Sequence, residues 1–306
     1  MFKFKLSAFT LVELLVVIAI VGLLSTIVLA VTSGVSEQGR IAKGLQFSQH
    51  LENGLGAYLV GKWTFDEGSG DLCGVNKVCD TSGWGNDGSM ANSPVWRCAT
   101  TDRNYTSSGI GCSLEFSGTN QYINCGNNSS LSLGNKITVE SFIKWSDIVY
   151  GYVFNIIADH VVTSESKMNL AIAGTGNTIG ADIGEIYLFN GSNVTLTNII
   201  LSPGAWTHLV IVREGVGSNQ TYIYKDGILS WTGTWAMTAS NPYFLIGAMR
   251  TVSNYNAFAG LIDNIHIYST SLNASQIQSN YYANLKNLLI RGFIDEKEYQ
   301  ERLFVN

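Results

Sequence analysis

Charge is scarce in this chain. Asp, Glu, Lys and Arg make up only 13% of its 306 residues, and no basic stripe runs through them. That speaks against a nucleic acid partner, because phosphate binding needs clustered Lys and Arg. The formal charge of −5 is a mildly acidic balance of the kind that keeps proteins soluble. Histidine is limited to four scattered residues with no metal-ligand spacing. Local signatures of Ser/His/Asp or Cys/His nucleophiles are missing. Cysteine is absent until Cys73, then appears five times, at Cys73, Cys79, Cys98, Cys112 and Cys125. The first pair is spaced C-x5-C, which is not a zinc spacing. Proline is rare at 3 and glycine plentiful at 32, the composition of an exported chain.

Residues 14 to 36 form an apolar run that contains no charge, enough for a helix to cross a bilayer. Lys3 and Lys5 precede it and place the N-terminus in the cytoplasm, with everything after about residue 35 outside. One acid, Glu13, sits at the start of the run. A carboxylate in hydrocarbon costs roughly 2.5–3.5 kcal/mol, so Glu13 calls for a cationic partner. Two simple readings are a plain membrane anchor and a secretory signal cut after Ala30, behind Val28-Leu29. Neither gives Glu13 a purpose, and Leu14 to Leu29 is long for a signal peptide.

The segment Ala8-Phe9-Thr10-Leu11-Val12-Glu13 and the run behind it resemble the leader and N-terminal helix of type IV prepilins and pseudopilins. The resemblance implies a leader of residues 1–8, with prepilin peptidase cutting between Ala8 and Phe9, where Ala8 takes the place of the usual Gly. It also implies N-methylation, and Glu13 pairing with the N-terminal amine of Phe9 in a neighbouring subunit. Residues 9–60 then form a helix, transmembrane over about 11–32. Ile41, Leu45, Leu51, Leu55 and Tyr58 continue an amphipathic stripe to about Lys62, although Gly34, Gly39, Gly44 and Gly54 weaken it. A continuous helix from Phe9 to Tyr58 would be about 75 Å long.

At Gly61 the pattern changes to short alternating or β-branched runs separated by Gly, Asn, Ser and Asp. Strands are predicted at Lys136–Trp145, Val149–Asp159, Glu185–Asn190, Asn193–Leu201, Trp206–Glu214, Gln220–Lys225 and Leu261–Tyr268. Lys225-Asp226-Gly227-Ile228 predicts a tight hairpin. Many short strands without intervening helices predict an all-β sandwich over residues 61–270. Residues 271–306 predict a short C-terminal helical hairpin: Ala274 to Ile290, a stop at Arg291-Gly292, then a second helix capped by Asp295 with Glu298 three residues on. That tail is either a cap on the sandwich or a contact for another subunit.

Trp63-x-Phe65-Asp66-Glu67-Gly68-Ser69-Gly70 and Asp80-x-Ser82-Gly83-x-Gly85-Asn86-Asp87-Gly88 resemble the opening of the laminin-G-like, concanavalin A-like jelly roll. Leu114-x-Phe116-Ser117-Gly118, Trp206-x-His208-Leu209-Val210, Tyr224-x-Asp226-Gly227 and Leu261-Ile262-Asp263-Asn264-Ile265 follow in the family's order. The resemblance implies two curved antiparallel sheets face to face. It also implies one structural calcium ion, with Asp263 as ligand and Asp66 or a nearby carbonyl completing an oxygen shell. Related glycosidases carry paired acids at even offsets on one strand, as glycoside hydrolysis requires two facing carboxylates. Here Glu140 is the one acid on its strand, and Asp182 and Glu185 are an odd number apart. The chain therefore reads as no enzyme, and His208 as a packed core residue.

On the oxidising side, disulfides are expected. Cys73–Cys79 would close a small loop and Cys98–Cys112 an insertion, leaving Cys125 as a buried thiol. Trp84, Tyr150, Tyr152, Trp235 and Tyr255 lie in turn-rich stretches and are the candidate sugar platforms, against a core role for each.

Together these readings give a minor pilin or pseudopilin. It would start in the cytoplasmic membrane and pack through its N-terminal helix with other pilin-like subunits. It would end in an extracellular filament at the cell surface, where the jelly-roll head binds a glycan or a surface protein in adhesion. The alternatives are a purely structural filament subunit, and a membrane-anchored or secreted carbohydrate-binding domain without filament assembly.

Overall fold

The computed structural model describes residues 11–12, 14–22, 54–68, 72–100, 102–108, 111–131, 136–146, 153–160, 166–175, 177, 179–189, 193–215, 219–235, 243–248, 257–290 and 292–304. The chain divides into two units, residues 1–49 and 50–306. In the first, residues 11–12 and 14–22 are helical, with apolar side chains such as Leu11, Leu14 and Ile18 exposed. Among the described residues no helix is long and apolar enough to cross a membrane.

The second unit is mainly β. Sixteen strands are described, from β1 (Leu59–Trp63) to β16 (Ala259–Tyr268). They form two eight-stranded sheets in which every described pairing is antiparallel. The first sheet runs β14 (Ile228–Thr234), β13 (Gln220–Lys225), β12 (Trp206–Arg213), β7 (Ile137–Trp145), β16, β5 (Cys112–Ser117), β4 (Val95–Cys98), with β1 also on β16. The second runs β11 (Val194–Ile200), β10 (Glu185–Phe189), β9 (Ser166–Ala173), β8 (Val153–His160), β15 (Tyr243–Ile246), β6 (Tyr122–Asn124), β3 (Gly88–Ala91), β2 (Lys77–Val78). The helix predicted to about Lys62 ends sooner: Gly56–Tyr58 is a single 3-10 turn and Leu59 already belongs to β1, because its strand pairs with Ile265–Tyr268 of β16. Ile41, Leu45 and Leu51 lie outside the described residues.

Alternation along the strands places the core. Ile137, Val139, Ile143 and Trp145 of β7, with Leu209 and Ile211 of β12, point between the sheets into one large apolar cluster. Trp63 anchors it, fully buried and stacked on Phe244 at 5.8 Å, with its indole N–H donating to the Asn86 carbonyl at 3.0 Å. The turn between β13 and β14 has Asp226 and Gly227 both at positive φ (53° and 80°), the geometry that a two-residue hairpin of matching twist demands.

The other face of the central strands β7, β12 and β16 is largely buried as well. Two helices cover it: α1 (Ala274–Ile290) and α2 (Glu296–Phe304). Helix α1 opens with a reciprocal cap, in which Gln276 N–H donates to Asn273 Oδ1 at 3.0 Å and Asn273 N–H to Gln276 Oε1 at 2.8 Å. Helix α2 opens on Asp295, whose Oδ1 accepts from Glu298 N–H at 2.7 Å. Ile277, Tyr281 and Leu285 make the buried stripe of α1 at spacings of four. They pack with Phe142, Val210 and Tyr224 from the sheet, and with Ile294 and Tyr299 from the following turn and α2.

A polar network lies under α1. Glu140 of β7 is 2% exposed, and its Oε1 lies 2.7 Å from His208 Nε2 on β12. Its Oε2 accepts from Asn280 Nδ2 of α1 at 2.9 Å, with His266 of β16 at 3.8 Å. His208 is thus packed, as expected, with its ring stacked on Tyr281 at 5.6 Å. Burial alone would raise the Glu140 carboxyl; the hydrogen bond with His208 and the nearby His266 outweigh it and hold the group well below the usual carboxylate range.

A depressed carboxyl stabilises the fold in full above its ordinary value of 4.5 and loses that contribution as pH falls below it. Glu140→Gln should cost about 1–3 kcal/mol at pH 7 in denaturant unfolding. The variant's stability should also fall less steeply than the parent's between pH 5 and about 3. Parallel acid limbs for the two proteins would show that the network does not carry this dependence.

Candidate functional site

Trp84 is the candidate sugar platform that the structure places at the surface, 52% exposed. It sits in the loop from Asp80 to Asp87, and Asp80 ties that loop down. Asp80 Oδ1 accepts from Lys62 N–H and Ser82 N–H, both at 2.9 Å. Asp80 Oδ2 accepts from Ser82 Oγ and Asn86 N–H, both at 2.8 Å. Asp87 Oδ1 accepts in turn from Asp80 N–H. Four bonds on one carboxylate fix the loop base, so the indole is presented from a rigid support rather than a loose tip. Trp235 is different: it is 2% exposed and belongs to the inter-sheet core, which removes it as a platform. Tyr150, Tyr152 and Tyr255 lie outside the described residues, as do Ala8, Phe9 and Glu13.

Asp263 and Asp66 come close enough to repel each other electrostatically. Asp263 is on β16, next to an irregularity in the β16–β7 register where Asn264 adopts φ 50°. It is 1% exposed, and its Oδ2 accepts from Ser107 N–H at 2.9 Å. Its Oδ1 has no hydrogen-bond partner among the described residues. Burial pushes its carboxyl up to about 7, with Asp66 adding to the rise and the Ser107 bonds opposing it. Asp66 Oδ1 accepts from Cys112 N–H at 3.3 Å, and its own carboxyl is also raised by burial. It occupies a cradle that only glycine leaves open: a Cβ at Gly111 would fall 1.6 Å from Asp66 Oδ1. The orphaned, buried oxygen of Asp263 and the Asp66 carboxylate are oxygen donors of the kind that a hard cation such as calcium takes.

Both expected disulfides are formed, Cys73–Cys79 and Cys98–Cys112, and Cys125 is a buried free thiol. The first disulfide lies beside Glu67, whose Oε1 accepts from Cys79 N–H at 2.8 Å. Bonding of the two sulfurs to each other removes them as metal ligands there. The second joins β4 to β5 across a directly paired register position, Cys98 opposite Cys112, beside the Asp66 loop.

Glu140 and Glu185, the buried acids of the sandwich strands with Asp263, are each committed to structure. Glu185 accepts from Asn198 N–H at 2.7 Å and Asp182 N–H at 3.0 Å, which closes the β10–β11 hairpin. Asp182 precedes the strand in a turn.

The N-terminal residues 5–29 match the model of the prokaryotic N-terminal methylation motif. This marks a type IV pilin-like chain, anchored in a membrane or displayed at a surface. No curated protein matches the sequence significantly. Among solved structures, domain 4 of a GH43 extracellular arabinanase, AbnA from Geobacillus stearothermophilus, in complex with arabinotriose, is similar at 18% identity and TM-score 0.52. That match covers 72% of this chain and 97% of that one. A Trypanosoma rangeli sialidase in complex with sialic acid aligns at 15% identity and TM-score 0.53, over 74% of this chain but only 33% of the sialidase. The binding domain of Paraclostridial Mosquitocidal Protein 1 aligns at 13% identity and TM-score 0.51, over 76% of this chain and 53% of that one. At these identities the likeness is one of fold. Residues 117–278, more than half the chain, match the laminin-G-type family model of that fold, and the chain belongs to the concanavalin A-like lectin/glucanases superfamily.

Proposed function

We propose that this protein is a minor pilin or pseudopilin whose jelly-roll head binds a glycan, and that it acts in adhesion at the cell surface. The observation that carries the reading is the union, in one chain, of a methylation-type N-terminal motif with a lectin-like sandwich. The N-terminal helix inserts into the cytoplasmic membrane, prepilin peptidase cuts between Ala8 and Phe9, and Glu13 then pairs with the new amine of a neighbouring subunit in the filament. A buried carboxylate opposite a buried ammonium fixes register, because a mismatched subunit would leave both charges uncompensated. The head is a binding module rather than an enzyme, since Glu140 and Glu185 spend their oxygens on internal hydrogen bonds. Trp84 supplies a sugar-stacking face. A calcium ion held by Asp263 and Asp66 braces the segments of Ser107 and Cys112 that bond to them.

Three measurements test this. The mass and N-terminal residue of the protein from its native surface fraction should correspond to a chain starting at Phe9, N-methylated. A start at Val31 would replace the filament reading with a secreted lectin-like domain. On a glycan array the full chain should bind, and Trp84→Ala should weaken binding at least tenfold, about 1.4 kcal/mol; equal binding by the variant moves the site away from Trp84. Calcium at 5 mM should raise the Tm by several degrees, as any ligand of the folded state alone must. Asp263→Asn should lose that rise, and a calcium-independent Tm in the parent would remove the ion.

A further inference from the structure

The second sheet ends at β2, and the chain on either side of that strand holds three apolar side chains out in solvent. Leu72 and Val75 precede β2 and are 78% and 79% exposed; Trp84 follows it. Single exposed apolar residues are ordinary, but here three fall between residues 72 and 84, on segments braced from inside. The Cys73–Cys79 disulfide closes the first segment, and the Asn76 carbonyl accepts from Met90 N–H of β3 at 2.8 Å. Asp80 and its four bonds fix the second. A Cβ added at Gly83 or Gly85 would meet nothing within 4 Å, so the chain beside Trp84 stands clear on both sides.

The polar side chains of that loop are turned inward. Thr81 Oγ1 donates to the Lys62 carbonyl at 3.2 Å. Ser82 Oγ donates to Asp80 and accepts from the Trp84 backbone N–H at 3.3 Å. Asn86 Nδ2 donates to the Val60 carbonyl at 2.7 Å, and Asp87 accepts from Asp80 N–H. A pocket for a soluble oligosaccharide needs polar groups that converge on the ring hydroxyls. Here those groups serve the loop, and what faces outward is aromatic and aliphatic surface. Such a surface matches a ligand that offers flat C–H faces side by side and bonds its hydroxyls within itself, as an ordered, insoluble β-linked polysaccharide does. Charge narrows the class. Residues 62–88 contain five acids (Asp66, Glu67, Asp71, Asp80 and Asp87) against Lys62 and Lys77. That field opposes an acidic polymer or an anionic lipid surface and favours a neutral one.

We propose that Trp84, with Leu72 and Val75 beside it in the chain, docks the head on the flat face of a neutral, insoluble β-linked polysaccharide. The proposal rests on the head being a glycan-binding module and names the class of glycan that the Trp84 site takes. One stacking face is a weak contact, and copies repeated along a filament act together. The test is depletion of the full chain, held in phosphatidylcholine nanodiscs, by microcrystalline cellulose and by chitin. One of the two solids should remove the protein from solution, and added salt should not release it, because no ion pair is involved. Trp84→Ala should weaken that binding at least tenfold, and Trp84→Tyr should recover most of it, since a tyrosine ring keeps a stacking face. Soluble cellohexaose or chitohexaose at equal sugar concentration should not displace the protein. Displacement by the soluble sugar overturns the proposal, as does binding that Trp84→Ala retains. Association with added phosphatidylcholine vesicles that Trp84→Ala abolishes assigns the segment to lipid and overturns it too. Binding on a glycan array without depletion by either solid overturns the proposal and leaves a glycan-binding head. A chain that binds neither solid, and nothing on the array, loses both readings.

Discussion

Strand β7 is buried on both faces, and the rest of the head follows from how its outward face is satisfied. The inward residues join the inter-sheet core without difficulty. The outward residues include Thr138, Glu140 and Phe142, so the cover over them has to be apolar at one point and polar at others. Helix α1 meets that demand. Tyr281 and Leu285 pack on Phe142, Asn280 donates to Glu140, and Leu272 N–H, at the approach to the helix, donates to Thr138 Oγ1 at 2.9 Å. An ionised carboxylate under a helix is costly unless its oxygens are bonded. Here each oxygen has a bonded partner, one from the neighbouring strand and one from the helix. The C-terminal hairpin is thus required by the sheet, not appended to it. This decides the question of whether residues 271–306 cap the sandwich: they do, and their outer surface is what remains for contacts.

The same logic of one carboxylate organising distant chain recurs elsewhere in the sandwich. Asp80 gathers four donors and holds the loop that carries Trp84. Asp226 fixes the β13–β14 turn to β12 and faces a cavity beside α2. Asp263 departs from the pattern. One of its oxygens is bonded and the other is not, in a place as dry as that of Glu140. The physical cost of that orphan, with Asp66 nearby, is the observation on which the proposed calcium site rests.

Much of this was legible in the sequence, because much of it is local. Gln220–Lys225 occurs with the expected bounds, and Lys136–Trp145 and Trp206–Glu214 lose one terminal residue each, since period-2 patterning and turn residues declare strands directly. The Asp226-Gly227 turn, the Asp295–Glu298 cap and both disulfides also depend on residues close in sequence. Less legible was anything assembled across long separations. Glu140 reads as a lone acid on its strand, and nothing near it announces Asn280, 140 residues on. Trp84 and Trp235 occupy similar glycine-flanked or turn-rich settings, yet one is exposed and the other is core. Which of them faces solvent depends on the partner sheet, and local pattern carries no record of that. The end of the N-terminal helix was placed slightly late for a related reason: the apolar stripe runs on through Leu55 and Tyr58, but an open edge of β16 claims the chain from Leu59.

Membership in a superfamily whose name includes glucanases raises the question of whether Glu140, the acid at the centre of the sheet, has the chemistry of a glycosidase. A general acid for glycoside cleavage needs a carboxyl raised towards neutrality, access to the sugar oxygen, and a second carboxylate across the cleft. Glu140 has the opposite of the first, because His208 and His266 hold it ionised. It lacks the second, because α1 lies over it. Asp263 does have a raised carboxyl, but it is as buried as Glu140 and its nearest acid, Asp66, sits over a glycine in a loop rather than across a sugar-sized cleft. Among the described residues, the buried carboxylates Glu140 and Glu185 are committed to holding sheet, loop and helix together. On the reading proposed above, it is the exposed face of Trp84, on its fixed loop, that would hold a sugar.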